Sequence, residues 1–190
     1  EIENTTGVME SVAEMQTYGI DPVFHFYVGQ DEKNSEMMIA NFYQGGLGLP
    51  DREYYLSDDE KYKEIRRKYV DHIQKMFELT GVSEEEAVKT ANNVMKIETK
   101  LAELSRTRVE LRDPQKNYNK MTVADLQKEV PQADWTAYFK AMGLTDPGDI
   151  NVSQTDFIKG AGELLEKASV EEWKDYLQWN LVHAAAPYMS

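Results

Sequence analysis

The sequence predicts a mainly α-helical fold: a multi-helix bundle with a small antiparallel β-hairpin near the N-terminus. Three observations lead to this prediction. Five Ser/Thr-x-x-Asp/Glu patterns, typical of helix N-termini, stand ahead of stretches with apolar residues every three or four positions. Two runs rich in aromatic and β-branched residues lie close together in the first quarter of the chain, as in a hairpin. A short stretch rich in glycine and proline separates the two regions.

The first quarter is predicted to hold one short helix and the hairpin. The helix extends from about residue 5 to 18, and Thr5 or Thr6 can cap it. Residues 23–28 and 37–43 are predicted strands, and about five polar residues join them. A hairpin alone is only marginally stable in water, so one of its faces is expected to lie on the helices.

The helical bundle is predicted to occupy residues 57–190. Its first two helices are long and have only Gly81 and Val82 between them, which favours an antiparallel helical hairpin. The apolar stripe of the second long helix includes one acidic residue, Glu98. Asp134 is predicted to cap a short helix in the second half of the chain. The five cap patterns are Ser57 with Glu60, Ser83 with Glu86, Thr122 with Asp125, Ser153 with Asp156, and Ser169 with Glu172.

Residues 44–56, called the Gly/Pro loop below, lie between the hairpin and the bundle. Glycine frees the backbone φ angle and proline removes a hydrogen-bond donor, so neither a helix nor a strand can continue through the loop. The loop is nevertheless rich in large apolar side chains, which predicts an ordered, packed connection. We expect its turns to be set by Gly45, Gly46, Gly48 and Pro50, and its packing to depend on Leu49, Tyr54 and Tyr55.

Composition excludes several classes of function. The chain has 190 residues and a formal net charge of −13, which argues against binding to nucleic acid or to anionic lipid. The absence of cysteine excludes disulfides, zinc–thiolate sites and a cysteine nucleophile. No apolar run approaches the roughly 18 residues of a membrane span. The chain opens without an initiator methionine and stops after a helical pattern, so both ends are expected to be cuts in a longer polypeptide.

The sequence contains no recognisable metal-binding, phosphate-binding or nucleophile motif. The three histidines, His25, His72 and His183, stand alone, and none belongs to a His-x-x-x-His or His-Glu-x-x-His pattern that could hold a metal. The glycines of the Gly/Pro loop do not form a phosphate-binding pattern, and no Gly-x-Ser-x-Gly elbow is present. Paired carboxylates for acid–base catalysis need a shared cleft, which a sequence cannot show. The residues alone therefore identify no catalytic group and no metal ligand.

Four blocks of sequence resemble the neprilysin-like zinc metallopeptidases, and they occur in the order found in that family. The likeness extends over nearly the whole chain from residue 23 onwards. Two blocks are specific: the one within the Gly/Pro loop, which includes Asp51 and Arg52, and the Arg-Asp-Pro block. The four blocks are Phe26–Ser35, Gly46–Tyr55, Arg112-Asp113-Pro114 with Tyr118–Thr122, and the weaker Trp179–Ser190.

The resemblance implies a two-lobed enzyme of which this chain supplies only one lobe. In that family, a thermolysin-like lobe holds zinc through His-Glu-x-x-His, and a mainly helical lid lobe closes over it. The chain resembles the lid lobe alone, so residues 1–190 are expected to be a single lid domain fragment, divided into residues 1–56 and 57–190. The zinc motif is absent, and no catalytic, metal-binding or substrate-backbone-binding residue is carried over.

One loop is a candidate for lining the internal cavity that the two lobes of such an enzyme would enclose, or for lining the interface between the lobes. Its residues could instead simply fold the loop, because Asp and Asn favour local bonds to the backbone. We expect the local role. The candidate residues are Arg112, Asp113, Asn117, Tyr118 and Asn119.

The resemblance also implies partners and a location. The partners would be the catalytic lobe of the same polypeptide and peptide substrates, with zinc as the cofactor of the full-length enzyme and none in this fragment. A periplasmic or extracellular location is expected, with the cytoplasm as the alternative. Two other functions stay open: a free-standing helical protein-interaction module, and an independent hydrolase with paired carboxylates.

Overall fold

The computed structural model describes residues 2–188 and confirms the mainly helical fold. Eight α-helices and a four-stranded sheet make up most of this part of the chain, with short 3-10 turns at Glu110–Arg112 and Ala186–Tyr188. The helices are α1 (Thr5–Thr17), α2 (Glu53–Leu56), α3 (Glu60–Leu79), α4 (Glu84–Leu104), α5 (Val123–Glu129), α6 (Trp135–Ala141), α7 (Thr155–Lys167) and α8 (Val170–Ala185). The strands are β1 (Phe24–Asp31), β2 (Asn34–Gln44), β3 (Lys120–Thr122) and β4 (Asp149–Val152).

The predicted hairpin is one half of a larger sheet. Strands β1 and β2 pair antiparallel, as predicted, with Phe24 opposite Gln44, and only two residues separate them rather than about five. The sheet order is β1-β2-β4-β3, with β4 parallel to β2 and antiparallel to β3. The sequence did not predict β3 and β4, because they have only three and four residues and show no clear alternation. The sheet therefore joins the N-terminal hairpin to the second half of the chain.

Most helix starts lie where their cap residues predict. The side chains of Ser83, Thr122 and Asp134 each accept a backbone N–H at the start of α4, α5 and α6. At α8 the capping box is complete, because Ser169 and Glu172 each accept the other's backbone N–H. Helices α3 and α4 pack together across the short connection between them, as the predicted helical hairpin requires.

Three predicted caps are wrong. Helix α1 is capped by Asn4 rather than by a threonine, and its side chain accepts the N–H of Gly7. Helix α3 is capped by Asp59, not by Ser57 two residues earlier. At α7 the cap position is Gln154, without a side-chain hydrogen bond, because Ser153 directly follows strand β4 and its N–H donates to the sheet. In a chain this polar, short cap patterns also arise by chance.

The buried apolar residues form one core, in which two groups of contacts stand out. One is an aromatic cluster in which Phe24 and Phe42 of the hairpin contact Trp135, Tyr138 and Phe139 of α6, with ring centroids 5.2–6.1 Å apart. The other is the buried stripe of α4, which packs against α3, α7 and α8. The first cluster places one face of the hairpin on the helices, as predicted.

Candidate functional site: the cleft beside the Gly/Pro loop

A cleft of about 640 Å³ lies beside the Gly/Pro loop. One wall is formed by residues 44–53 of that loop, and a second by residues 105–109, which follow α4. Side chains of α8 complete the wall, among them Trp179 and His183, and Glu98 of α4 contributes to the lining. The cleft thus brings together the most recognisable stretch of the sequence and the centre of the helical bundle.

Two glycines allow the Gly/Pro loop to pass close to the bundle. Gly46 has a φ of +78°, and a Cβ atom there would lie 2.5 Å from the carbonyl oxygen of Pro22. A Cβ atom at Gly48 would lie only 1.8 Å from the hydroxyl of Tyr69, a distance that no real contact allows. The hydroxyl of Tyr176 lies within hydrogen-bond distance of the carbonyl oxygens of both Pro22 and Gly46. Only glycine fits these two positions without a shift of the loop.

The remaining signature residues have local structural roles. Gly45 passes beside the ring of His25, which a Cβ atom would approach to 3.1 Å, and Pro50 is exposed at the cleft wall. The Tyr54 ring packs edge-on against Tyr62, with centroids 5.0 Å apart. The loop ends in the short helix α2, which the sequence did not predict. The prediction that the loop is ordered and packed agrees with these contacts.

A buried carboxylate ties the loop to three helices. Tyr55 of α2 donates its hydroxyl to Oε2 of Glu98 at 2.5 Å, and Tyr69 of α3 donates to Oε1 at 2.9 Å. The backbone N–H of Gly48 is a third donor to this carboxylate. The network extends outward, because Tyr55 accepts the N–H of Leu49 at 2.8 Å and Tyr69 accepts the indole N–H of Trp179 at 3.0 Å.

The burial of Glu98 changes its acidity. The residue is only 1% exposed, and loss of solvation raises the pKa of its carboxyl group to about 7, although the hydrogen bonds from Tyr55, Tyr69 and Gly48 act in the opposite direction. Burial, together with the nearby Glu98 charge, raises the pKa values of Tyr55 and Tyr69 far above the usual tyrosine range. Both tyrosines therefore stay protonated at physiological pH and act as donors.

Asp51 and Arg52 join the Gly/Pro loop to the segment after α4. Asp51 accepts the backbone N–H of Glu53 at 2.9 Å and forms an ion pair with Arg108 at 2.6 Å. Arg52 donates to the carbonyl oxygen of Ser105 at 2.8 Å, while its Nε is buried without a hydrogen-bond partner. Opposite charges therefore lie close together in the part of the cleft lined by Asp51, Arg52 and Arg108, which is called the mouth of the cleft below.

The loop proposed to line a cavity or an interface makes hydrogen bonds both within itself and to the strands of the sheet. Asp113 accepts two backbone N–H groups of the turn that follows it. Asn117 donates to the carbonyl oxygens of residues 111 and 113. Asn119 donates to carbonyl oxygens at the end of β4, and Tyr118 donates to Asp31 at 2.8 Å. Arg112 is exposed and does not line the cleft. Four of the five candidates thus serve the fold of this chain.

Sequence reasoning missed the centre of this site. Glu98 stood on the apolar stripe of α4, and an acidic residue on a core-facing stripe is the signal that could have identified it. Its partners Tyr55 and Tyr69 lie 43 and 29 residues away, so no local pattern connects them. Ser105 and Arg108 follow α4 and carried no motif at all.

Residues 2–188 contain neither a cluster of potential metal ligands nor a helix that could span a membrane. Among residues 2–188, no group of three or more His, Cys, Asp or Glu side chains is placed to hold a metal ion. In the same part of the chain, no helix combines the length and the apolarity that crossing a membrane requires.

Solved structures with this fold include a zinc metalloprotease. The chain superposes on the zinc metalloprotease ZMP1 of Mycobacterium tuberculosis in complex with an inhibitor, with a TM-score of 0.90 and 32% identity, covering 98% of this chain and 29% of that one. It superposes on the open state of the same protein with a TM-score of 0.92. PepO of Lactobacillus rhamnosis shares the fold, with a TM-score of 0.74 at 13% identity over 100% of this chain and 30% of that one.

Curated relatives and a family model agree with this class. Human endothelin-converting enzyme 1 is 28% identical over 177 residues, which cover 90% of this chain and 23% of that protein. Neprilysin-3 of Drosophila melanogaster is 28% identical over 184 residues, or 91% of this chain and 23% of the relative. The model described as peptidase family M13 matches residues 1–190. The chain belongs to peptidase family M13, which confirms the neprilysin-like resemblance, and it spans about a quarter of the length of these relatives.

Proposed function

We propose that this chain is the non-catalytic lid lobe of a zinc-dependent metalloendopeptidase that hydrolyses peptides. The lid would restrict access to a zinc site in another lobe of the same polypeptide. One observation carries the proposal: all 190 residues match the family model, and their fold matches part of a zinc metalloprotease that has been solved with an inhibitor. That enzyme has also been solved in open and partially open states, which supports a moving lobe.

In this proposal the other lobe carries out the reaction, and this chain contributes no catalytic group. Zinc, when bound by the catalytic lobe, would activate a water for attack on the peptide carbonyl group. The residues of this chain would shape and close the cavity, so that binding energy from the peptide favours the closed state. The negative charge of the lid would disfavour highly acidic peptides at the entrance. The proposed location is the periplasm or the extracellular space.

The lid is proposed to act as one domain rather than as two. The support is the sheet, because strand β2 of residues 1–56 pairs with strand β4 of residues 57–190. The hydrogen bond from the Gln44 backbone N–H to the Gln154 side chain, at 2.8 Å, adds a second connection between the two parts. Separating them would break the sheet between its second and third strands.

The assignment of catalysis to another lobe has a direct test. We expect the intact enzyme to bind zinc and cleave a quenched fluorescent peptide, and to lose that activity to a chelator. Residues 1–190 alone are expected to bind no zinc tightly and to leave the peptide uncut. Zinc-dependent cleavage by residues 1–190 alone would contradict the proposal.

The access function requires a separate experiment. A cleavable sequence is offered to the intact enzyme first as a free peptide and then within a surface loop of a folded carrier protein. If the lid restricts access, the intact enzyme should cleave the free peptide rapidly and should not cleave the folded carrier. A protease with an open active site is the control, since it shows that the carrier loop can be cut. Equal cleavage of both substrates by the intact enzyme would remove the access function.

A further inference from the structure

The carboxyl group of Glu98 is buried without a positively charged partner. Its three hydrogen-bond donors, from Tyr55, Tyr69 and the backbone of Gly48, are all neutral. Within residues 2–188, no Lys, Arg or His side chain pairs with it at ion-pair distance. A buried carboxylate with no counter-charge is costly in its ionised form, and neutral donors offset only part of that cost.

The titratable groups that face Glu98 come from helices α2, α3 and α8. They are the hydroxyls of Tyr55 on α2 and Tyr69 on α3, together with Tyr176 on α8, which also lies close enough to feel the Glu98 charge. Burial raises the pKa of Tyr176, as it does for the other two tyrosines, so all three stay neutral near pH 7. The only group of this cluster that can change its charge near neutral pH is therefore Glu98.

The Gly/Pro loop covers this carboxyl group and separates it from the cleft. The backbone N–H of Gly48 donates to Glu98, and that of Leu49 donates to the hydroxyl of Tyr55, which in turn donates to Glu98. Glu98 contributes to the lining of the cleft even though it is almost fully buried. A small outward movement of residues 48 and 49 would thus admit water to the carboxyl group from the cleft side.

We propose that Glu98 is a pH-responsive latch: the Gly/Pro loop is held tightly over the floor of the cleft while its carboxyl group is neutral, and the loop loosens when that group ionises. The reason is linkage. A carboxyl group binds its proton more tightly in a dry site than in a hydrated one, so a rise in pH favours the form in which water reaches Glu98. Asp51 and Arg52 move with the loop, so the mouth of the cleft would respond as well.

Hydrogen exchange on the intact protein tests the latch. Exchange of the peptide spanning residues 44–56 is followed from pH 5.5 to 8.5 and corrected for the intrinsic effect of pH. The latch predicts that protection of this peptide falls as pH rises from 5.5 to about 7, by up to about tenfold per pH unit, and levels off at higher pH because Glu98 is then ionised whether the loop is tight or loose. Helix α7 is the internal reference, and its protection is expected to stay constant. A loop whose corrected protection does not change with pH would overturn the proposal.

Substitution of the latch residue gives the decisive comparison. Glu98→Gln is neutral at every pH, so the loop is expected to stay protected up to pH 8.5. The matched control is Glu103→Gln on the exposed face of the same helix, which should keep the wild-type response. Histidines can also change charge near neutral pH, and His25 and His183 line the cleft. A pH response that survives in Glu98→Gln and disappears in the His25→Gln, His183→Gln double variant would overturn the proposal.

A second variant keeps the test decisive if Glu98→Gln does not fold. Tyr69→Phe removes one donor to the ionised carboxylate and leaves the loop sequence intact. Loss of a hydrogen bond to a charged group weakens the ionised form, so the pH at which protection levels off should move up by about one unit. An unchanged levelling-off pH would show that Glu98 does not control the loop. The outcome is read from this chain's own amides, so it is independent of the proposed lid function.

Discussion

Tyr55 donates its hydroxyl to Glu98 at 2.5 Å and accepts the N–H of Leu49 with the same oxygen. The hydroxyl of Tyr55 therefore connects two parts of the Gly/Pro loop with each other, and it also connects the loop to α4. The next residue back, Tyr54, is only partly buried and its ring packs on Tyr62. These two adjacent tyrosines are therefore expected to contribute differently to the stability of the protein.

Tyr55→Phe is expected to destabilise the protein by about 1–3 kcal/mol. The change leaves the partly buried Leu49 N–H without its acceptor and removes a buried donor to Glu98. Tyr54→Phe is the matched control, for which we expect a change within about 0.5 kcal/mol. Urea denaturation gives both values. Equal effects of the two substitutions would mean that the hydrogen bonds of Tyr55 do not hold the loop.

Gly48→Ala is expected to destabilise the protein by about 1–3 kcal/mol, because the new methyl group would overlap the hydroxyl of Tyr69. Gly7→Ala in α1 provides the opposite case. A Cβ atom there meets its nearest neighbour at an ordinary 3.5 Å, and alanine favours the helix by about 0.5–1 kcal/mol. Thermal unfolding should give shifts of opposite sign. A neutral Gly48→Ala would show that the loop can move aside.

Asn119→Ala tests whether the Arg-Asp-Pro loop is structural. The Asn119 side chain donates to carbonyl oxygens of Val152 and Ser153, so its loss should cost about 1–3 kcal/mol in urea denaturation. Arg112→Ala, at the exposed position in the same loop, should stay within about 0.5 kcal/mol. If Arg112→Ala instead impairs peptide cleavage by the intact enzyme, that residue contacts the substrate or the other lobe.

Global stability should depend on pH through Glu98. The folded-state pKa, about 7, lies above the ordinary value of 4.5, so the folded protein holds a proton that the unfolded chain has lost. The contribution is fully present below about pH 4.5 and disappears as pH rises through 7, for a total of roughly 3 kcal/mol. Wild type should therefore lose stability over this interval relative to Glu98→Gln. Parallel curves for the two proteins, measured by denaturation at each pH, would contradict this assignment.

The elements that the sequence predicted correctly carry their signals locally. The start of α8 follows from the capping box of Ser169 and Glu172, and the hairpin follows from two dense runs of β-forming residues. Strand β4 carries no such signal, because its four residues become a strand only through pairing with β2 and β3. The cap of α3 was misplaced by two residues, since Ser57 and Asp59 are both good cap residues and Ser57 instead ends α2.

The site was less predictable than the fold. The motif of the Gly/Pro loop was visible in the sequence, and so was the need for order in that loop. The need for glycine at position 48 was not visible, because it arises from the close approach of the Tyr69 side chain, which belongs to a different helix. The same holds for Glu98, whose acidity depends on burial by residues far away in the chain. Local patterns give the residues of such a site but not their contacts.

The pairing of Ala40 in β2 with Ile150 in β4 has a consequence for synthesis of the chain. A ribosome adds about 5–20 residues per second, so roughly 5–20 seconds separate these two partners at translation. During that interval the inner edge of β2 presents open backbone groups, which other chains can pair with. The hairpin is thus complete long before its neighbour exists. The edge of β2 therefore stays open in the nascent chain until residues 149–152 of β4 have been made.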